Sequence, residues 1–198
     1  MNDNAIRHRP KALAAIQADS ERVGFGMASE AKTGALLAAI AASKPGGRFL
    51  ELGTGVGHGT AWILDGSDPT SCVDTVDTDA NSVAIARRHL GTDPRVTFHV
   101  ADGTDFISSV RGKSYDLIFA DAWPGKFSLL DETLSLLSVG GVYAVDDLLP
   151  QANWPEGLAE KVPELIDALE SRPGFTTVRL AWASGIMLVV RNATRRTD

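Results

Sequence analysis

Five apolar stretches of this chain each deliver a carboxylate: Glu51 after Phe49-Leu50, Asp77 closing 72–77, Asp102 after 95–100, Asp121 after 115–120, and the pair Asp146-Asp147 after 142–145. Side chains of this type accept hydrogen bonds from hydroxyls and amines, take up protons, and hold hard cations when grouped. A glycine turn, Gly53-Thr54-Gly55-Val56-Gly57-His58-Gly59, follows the first of them. Glycine at alternate positions lets main-chain N–H groups approach a ligand closely. Thr60-Ala61-Trp62-Ile63-Leu64 then opens a helix whose N-terminus favours a carboxylate or phosphate. Strand, glycine turn and helix in that order predict a nucleotide site.

The spacing narrows the nucleotide. A dinucleotide fingerprint needs glycine at its first, third and sixth positions; counted from Gly53, the sixth position is His58. A phosphate loop ends in Gly-Lys-Ser/Thr, and no lysine lies between Lys44 and Lys113. Asp77 follows at about the 20 residues expected between a glycine turn and a ribose-binding acid. Its alternative is a turn or helix-capping residue, and the same alternative holds for Asp102, whose carboxylate can accept from an adenine amino group. Glu51-Leu52-Gly53-Thr54-Gly55-Val56-Gly57 resembles the first motif of class I S-adenosylmethionine-dependent methyltransferases.

The surrounding elements must bring these acids together. Helices are predicted over 10–21, with Pro10 in the first turn, and over 29–43, with Ser29 as the cap. Asp79 is the cap of a helix over 80–90 that Gly91 closes. Further helical patterns cover 128–137 and 155–170, where Pro163 is a candidate break. The stretches 175–180 and 186–191, joined by Ala183-Ser184-Gly185, read as an antiparallel hairpin. Strands alternating with helices predict an α/β fold: a doubly wound, Rossmann-like, mostly parallel seven-stranded sheet closed by that C-terminal hairpin. One domain spans 1–198, with an N-terminal helical segment (1–27), a core (28–191) and a frayed tail (192–198). Ligands in such sheets bind outside the carboxyl ends of the strands, where the acids fall.

Composition excludes several classes. The chain has 198 residues with 19 basic and 25 acidic side chains, a net charge of −6, which argues against a nucleic-acid partner and for a small-molecule substrate. Cys72 is the only cysteine, so no disulfide forms within the chain. Residues 1–10 carry charges and no apolar core of a signal peptide, and the run 35–42 is too short to span a bilayer. A cytoplasmic protein without membrane contact is expected, and a homodimer is left open.

Asp121, Asp146 and Asp147 should share one rim of the sheet, where three carboxylates repel and a hard divalent cation, magnesium or calcium, would relieve them. Alternatively, Asp121 is a metal-free catalytic or capping acid and Asp146 a loop acid. Asp121-Ala122-Trp123 followed by Ala144-Val145-Asp146-Asp147 resembles the catechol and caffeoyl-CoA O-methyltransferase group over most of the chain. The resemblance implies S-adenosylmethionine as cofactor. Glu51, Gly53, Thr54 and Gly55, with His58, Gly59 and Thr60, would lie near its methionine end, Asp77 and Thr78 at the ribose, and Asp102 and Gly103 at the adenine. Met27 and Ser29 would fold over it, and Asp121, Asp146 and Asp147 would ligate the metal. Three positions depart from the family: its metal-site Asn is Asp147, its catalytic lysine is Pro124 with Lys126 nearest, and its serine by the cofactor carboxylate is Gly59.

The activity so implied is transfer of the sulfonium methyl to a hydroxyl oxygen of a small, aromatic acceptor. Asp121 and Lys126 are the candidate catalytic residues, with His58 a secondary base; Lys126 reads equally as a solvated loop lysine. Trp123, Trp154 and Met27 are candidate walls of the acceptor site, or ordinary packing residues. Rival readings are a cofactor-binding protein of the same fold without turnover, and a methyltransferase acting on another acceptor class.

Overall fold

The structure, a computed structural model, describes Asn2, residues 5–151, Trp154 and residues 156–193. In chain order the elements are α1 (Leu13–Val23), α2 (Ala31–Ala42), β1 (Arg48–Leu52), α3 (His58–Gly66), β2 (Cys72–Asp77), α4 (Ala80–Leu90), β3 (Val96–Val100), α5 (Gly103–Ser109), β4 (Tyr115–Ala120), α6 (Leu130–Ser135), β5 (Leu137–Val145), α7 (Leu158–Glu170), β6 (Phe175–Leu180) and β7 (Ile186–Arg191). The sheet has the order β3-β2-β1-β4-β5-β7-β6. β1 to β5 pair in parallel, and β7 inserts antiparallel between β5 and β6. The expected fold is therefore observed, down to the closing hairpin. The strand order reverses between β1 and β4, which opens a crevice at their carboxyl ends.

Register brings the acids into line. Leu52 pairs with Ala120 across β1 and β4, and Ala120 with Val145 across β4 and β5. The next residues, Gly53, Asp121 and Asp146, leave the sheet side by side. The strands that deliver them are buried on both faces: Phe49, Leu50, Leu117, Ile118 and Val145 are fully enclosed. Burial of each such side chain contributes on the order of 2 kcal/mol, so the rim is fixed by the core beneath it.

Several boundaries differ from the sequence reading, each for a local reason. Pro10 precedes the first helix in a turn closed by the Leu13 N–H on the Pro10 carbonyl, 3.0 Å. Glu30, not Ser29, holds the N-cap position of α2. Asp79 does cap α4, accepting from the N–H groups of Asn81 and Ser82. Pro163 does not break α7: it sits in the second turn, where its missing N–H deprives only one carbonyl of a helical partner. β5 begins at Leu137, earlier than the predicted Val142, with an irregular register opposite Tyr115 and Leu117 that absorbs Gly140-Gly141. Pro155 and residues 194–198 of the expected frayed tail lie outside the described residues. None of the helices among the described residues is long and apolar enough to cross a membrane.

Two contacts set how the helices lie. Asp19 of α1 accepts from Arg88 (2.9 Å) and His89 (2.8 Å) of α4, which fixes α1 and the segment that follows it. α2 and α3 pack closely at two glycines: a Cβ on Gly34 would overlap the Trp62 ring, and one on Gly66 would overlap the Ala38 main chain. The Trp62 ring can yield a little; the Ala38 carbonyl cannot. Gly66→Ala should therefore destabilise the fold by about 2 kcal/mol or more, as overpacking does, read as a lower urea midpoint with unchanged slope.

Candidate active site

The site begins with a buried acid. Glu51, only 1% exposed, lies under the glycine turn rather than in the crevice. Its Oε2 accepts from the Thr75 hydroxyl at 2.6 Å and from the Thr60 hydroxyl. The Thr54 and Thr75 hydroxyls bond each other at 2.6 Å. Glu51 Oε1 has no partner among the described residues, and it lies where a Cβ on Gly59 would stand. Gly59 is thus required by packing against this acid. Burial pushes the Glu51 carboxyl up to about 7.

Above this anchor the turn exposes its backbone. Gly53 (φ 105°) and Gly55 (φ 49°) hold left-handed conformations that favour glycine. A Cβ on Gly53 would strike the Asp121 carbonyl, and one on Gly55 the Phe25 ring. Asp77 reaches the turn from β2: one carboxylate oxygen accepts the Gly55 N–H at 2.8 Å, the other the Asp79 N–H at 2.9 Å.

A crevice of about 390 Å³ opens over the turn. Met27, Ser29, Gly53, Gly55, Asp77, Asp121, Asp146 and Asp147 all line it, so the structure brings eight of the sequence-predicted residues together. Met27 is 72% exposed at its mouth, and Trp154 lines the same crevice. Thr54, His58 and Gly59 line a small recess beside it, shared with Phe25, Ser29 and Asp121. His58 is the first residue of α3 and 9% exposed; burial lowers its pKa, and its Nδ1 has no partner among the described residues.

Ser29, freed from capping, donates to Asp121 Oδ2 at 3.0 Å. This ties the segment after α1 to the floor of the crevice, across 92 residues of sequence. Burial raises the Asp121 carboxyl well above its ordinary value, opposed chiefly by the Lys126 charge. Asp146 is 2% exposed; its Oδ1 accepts the Asp147 N–H at 2.8 Å and the Ser184 hydroxyl. Its carboxyl is also raised by burial.

Other expected contacts are not made. Glu51 and Thr60 act beneath the turn, and Thr78 is exposed outside the crevice. Asp102 caps α5, accepting from the Thr104 N–H at 2.7 Å, and Gly103 abuts Pro124; neither lines the crevice. Trp123 stacks on Phe127, with Lys161 over its ring, instead of walling the crevice. Lys126 is 6% exposed, and its ammonium donates to the Asp146 carbonyl at 2.9 Å. It is absent from the crevice lining and buried, so it fits neither a base reaching substrate nor a solvated loop lysine.

The expected metal set does not form. Asp121, Asp146 and Asp147 face one crevice, and oxygen donors suit a hard cation. Yet among the described residues no three His, Cys, Asp or Glu side chains converge to hold one. Residues missed by sequence reading are Glu30 and Asp79, which add to the acid lining, and Ser184, whose hydroxyl in the hairpin turn donates to Asp146. Only the acidic character of Glu30 and Asp79 was visible beforehand.

A larger hollow of about 680 Å³ lies elsewhere, lined by Asp131, Arg172, Phe175 and Arg191. It includes none of the strand-end acids and touches neither the glycine turn nor the topological switch point, so the chemistry belongs to the smaller crevice.

A glycine turn over a buried acid, at the switch point of a seven-stranded Rossmann-like sheet, defines a nucleotide-binding α/β protein. A family model described as a methyltransferase domain matches residues 50–148, half of the chain, and the chain belongs to that family. A catechol O-methyltransferase of Mycobacterium tuberculosis is 29% identical over 152 residues, 74% of this chain and 69% of that protein. The chain aligns over 51–69% of the length of eight curated relatives that it matches. The O-methyltransferase TomG of Streptomyces achromogenes, solved with S-adenosylmethionine, superposes with a TM-score of 0.81 at 20% identity, covering 96% of this chain and 94% of that one. An O-methyltransferase of Bacillus cereus, solved with S-adenosylhomocysteine, gives 0.80 at 17% identity over the same shares.

The Glu51 anchor predicts a pH-dependent stability. Because its folded pKa is about 7 against 4.5 ordinarily, the folded state holds its proton more tightly than the unfolded chain. Stability from this group is therefore full at low pH and falls as pH rises from 4.5 to 7, by on the order of 3 kcal/mol. Glu51→Gln should flatten that part of the profile, measured by thermal unfolding across pH 5 to 8.

Proposed function

We propose that this protein is an S-adenosylmethionine-dependent O-methyltransferase acting on a small hydroxylated molecule that carries no anionic group. One observation carries the reading: the crevice over the glycine turn is lined by Glu30, Asp77, Asp79, Asp121, Asp146 and Asp147, and by no Lys, Arg or His among the described residues. A lining of that sign repels a pyrophosphate and attracts a cation. S-adenosylmethionine carries a positive sulfonium and an ammonium against one carboxylate, a net positive charge, and its adenosine brings two ribose hydroxyls. The same charge disfavours a coenzyme A ester as acceptor, and Met27 and Trp154 at the mouth suit an aromatic ring.

When bound, S-adenosylmethionine supplies the methyl group: a carbon–oxygen bond to the acceptor forms as the carbon–sulfur bond breaks, and the electron pair leaves with sulfur. The protein's part is chiefly alignment. Gly53 and Gly55 let the ligand lie against main chain, Asp77 accepts from ribose hydroxyls, and the segment containing Met27 and Ser29 covers the site. Asp121 receives the acceptor's hydroxyl proton. Ser29 holds that carboxylate in place, and burial makes it a stronger base than an ordinary aspartate.

The proposal is tested by transfer of labelled methyl from S-adenosylmethionine to a panel of neutral and amine-bearing catechols and phenols; binding of the cofactor with no transfer to any of them would leave only a binding protein. Asp77→Ala should weaken S-adenosylhomocysteine binding by about 2 kcal/mol, the loss of charged hydrogen bonds, read by calorimetry. Since Asp121 must be ionised to act, kcat should rise with pH and fall away below a midpoint lying above the usual aspartate range. Asp121→Asn should lower kcat by about 100-fold or more while cofactor affinity changes little.

A further inference from the structure

The strand-end acids raise a charge problem that the fold answers from within. β4 and β5 are adjacent and parallel, and the Asp146 N–H donates to the Ala120 carbonyl at 3.3 Å, so Asp121 and Asp146 emerge side by side. Asp147 follows in a left-handed conformation, φ 61°, at the same rim. Three neighbouring carboxylates in a partly desolvated crevice repel one another and need a positive charge nearby. The side chains do not converge on a common point where a divalent cation could sit.

A built-in cation lies instead beside Asp146, outside the crevice lining. The chain after β4 folds tightly: the Phe127 N–H reaches the Trp123 carbonyl at 3.0 Å, the Gly125 N–H reaches the Ser128 carbonyl at 2.8 Å, and Tyr143 donates to the Gly125 carbonyl. Gly125 has φ 89°, and a Cβ there would overlap Leu52. This compact turn directs Lys126 inward, where its ammonium meets the Asp146 carbonyl at 2.9 Å. Lys126 is buried while the other described lysines near this end, Lys32 and Lys161, lie over the Trp182 and Trp123 rings. Its charge acts on both Asp121 and Asp146.

We propose that the Lys126 ammonium is the resident cation of this crevice, balancing Asp121, Asp146 and Asp147 in place of a divalent metal, and that the site works without one. Lys126 is a positioning residue: it touches neither ligand nor acceptor, and it keeps the acid rim compact. A divalent ion added to the rim would meet the ammonium's repulsion first. The inference rests on the methyltransferase reading only for the identity of the reaction; the charge balance itself is a property of the chain.

The test uses the natural chain and reads metal binding apart from turnover. Its melting temperature should be the same in chelator and in millimolar magnesium or calcium, calorimetric titration with either ion should give no binding heat, and S-adenosylhomocysteine should bind equally in both. Lys126→Met removes the internal charge and should make melting metal-responsive, with magnesium raising a temperature that chelator lowers. Lys126→Arg, which keeps the charge, should stay indifferent, and Lys126→Gln serves in place of the Met variant if that chain does not fold. Magnesium or calcium stabilising the natural chain would overturn the proposal, as would neutral variants that remain indifferent to metal. Failure of S-adenosylhomocysteine to bind under any condition would instead overturn the methyltransferase reading, leaving the metal result to stand.

Discussion

One carboxylate that water cannot reach organises the ligand-facing half of the molecule. Glu51 ends β1, and its hydrogen bonds run to Thr75 on β2 and Thr60 in the first turn of α3. Three elements that could slide relative to one another are thereby locked at the point where the glycine turn leaves the sheet. The turn is tied at two levels, through Thr54 and Thr75 to this buried acid and directly to Asp77. Glu51 Oε2 is satisfied by two hydroxyls, while Oε1 has no partner among the described residues and is costly to bury. The arrangement therefore tolerates only one geometry of the loop, and Gly59 follows from it, since any side chain there would collide with the acid.

The crevice gains its character from register rather than from any one residue. Parallel strands in adjacent register must release their next residues at one edge, and in this chain those residues are acids. The N-terminal segment closes the arrangement from outside: Phe25 rests on Gly55, Ser29 bonds Asp121, and Asp19 anchors α1 to α4. The cover and the floor thus meet through one apolar contact and one hydrogen bond, the latter between residues 92 apart in sequence. Charge within the crevice is all of one sign, which separates this site physically from the dinucleotide folds it resembles in outline.

Legibility in the sequence followed the range of the interactions involved. β2, α4, β4 and the hairpin were readable because apolar runs, Asp79 at a cap and a glycine-bearing turn act over a few residues. The glycine motif was readable for the same reason. Ser29 was misread because capping is local and its actual partner, Asp121, is remote in sequence; nothing near Ser29 signals that choice. Asp102, readable either as a local cap or as an adenine acceptor, presents the opposite case: its cap is satisfied within two residues. Lys126 was visible as a lysine near the family's catalytic position, but whether it faced the crevice or lay outside its lining depended on Gly125 and Tyr143, which only tertiary structure brings together. Trp123 likewise found its partners in Phe127 and Lys161.

The turn between β6 and β7 does more than complete the sheet. Ser184 contacts the Asp146 carboxylate, the Leu148 N–H reaches the Gly185 carbonyl at 3.0 Å, and the Leu149 N–H reaches that of Ser184 at 2.8 Å. The stretch leading from the last parallel strand toward the crevice mouth is thus cast against a loop from the far, antiparallel edge. Descendants of this chain that lengthen or recompose that loop can reshape the entrance while the glycine bed and its acid stay untouched, so diversification in what is admitted can run ahead of any change in how the donor is gripped.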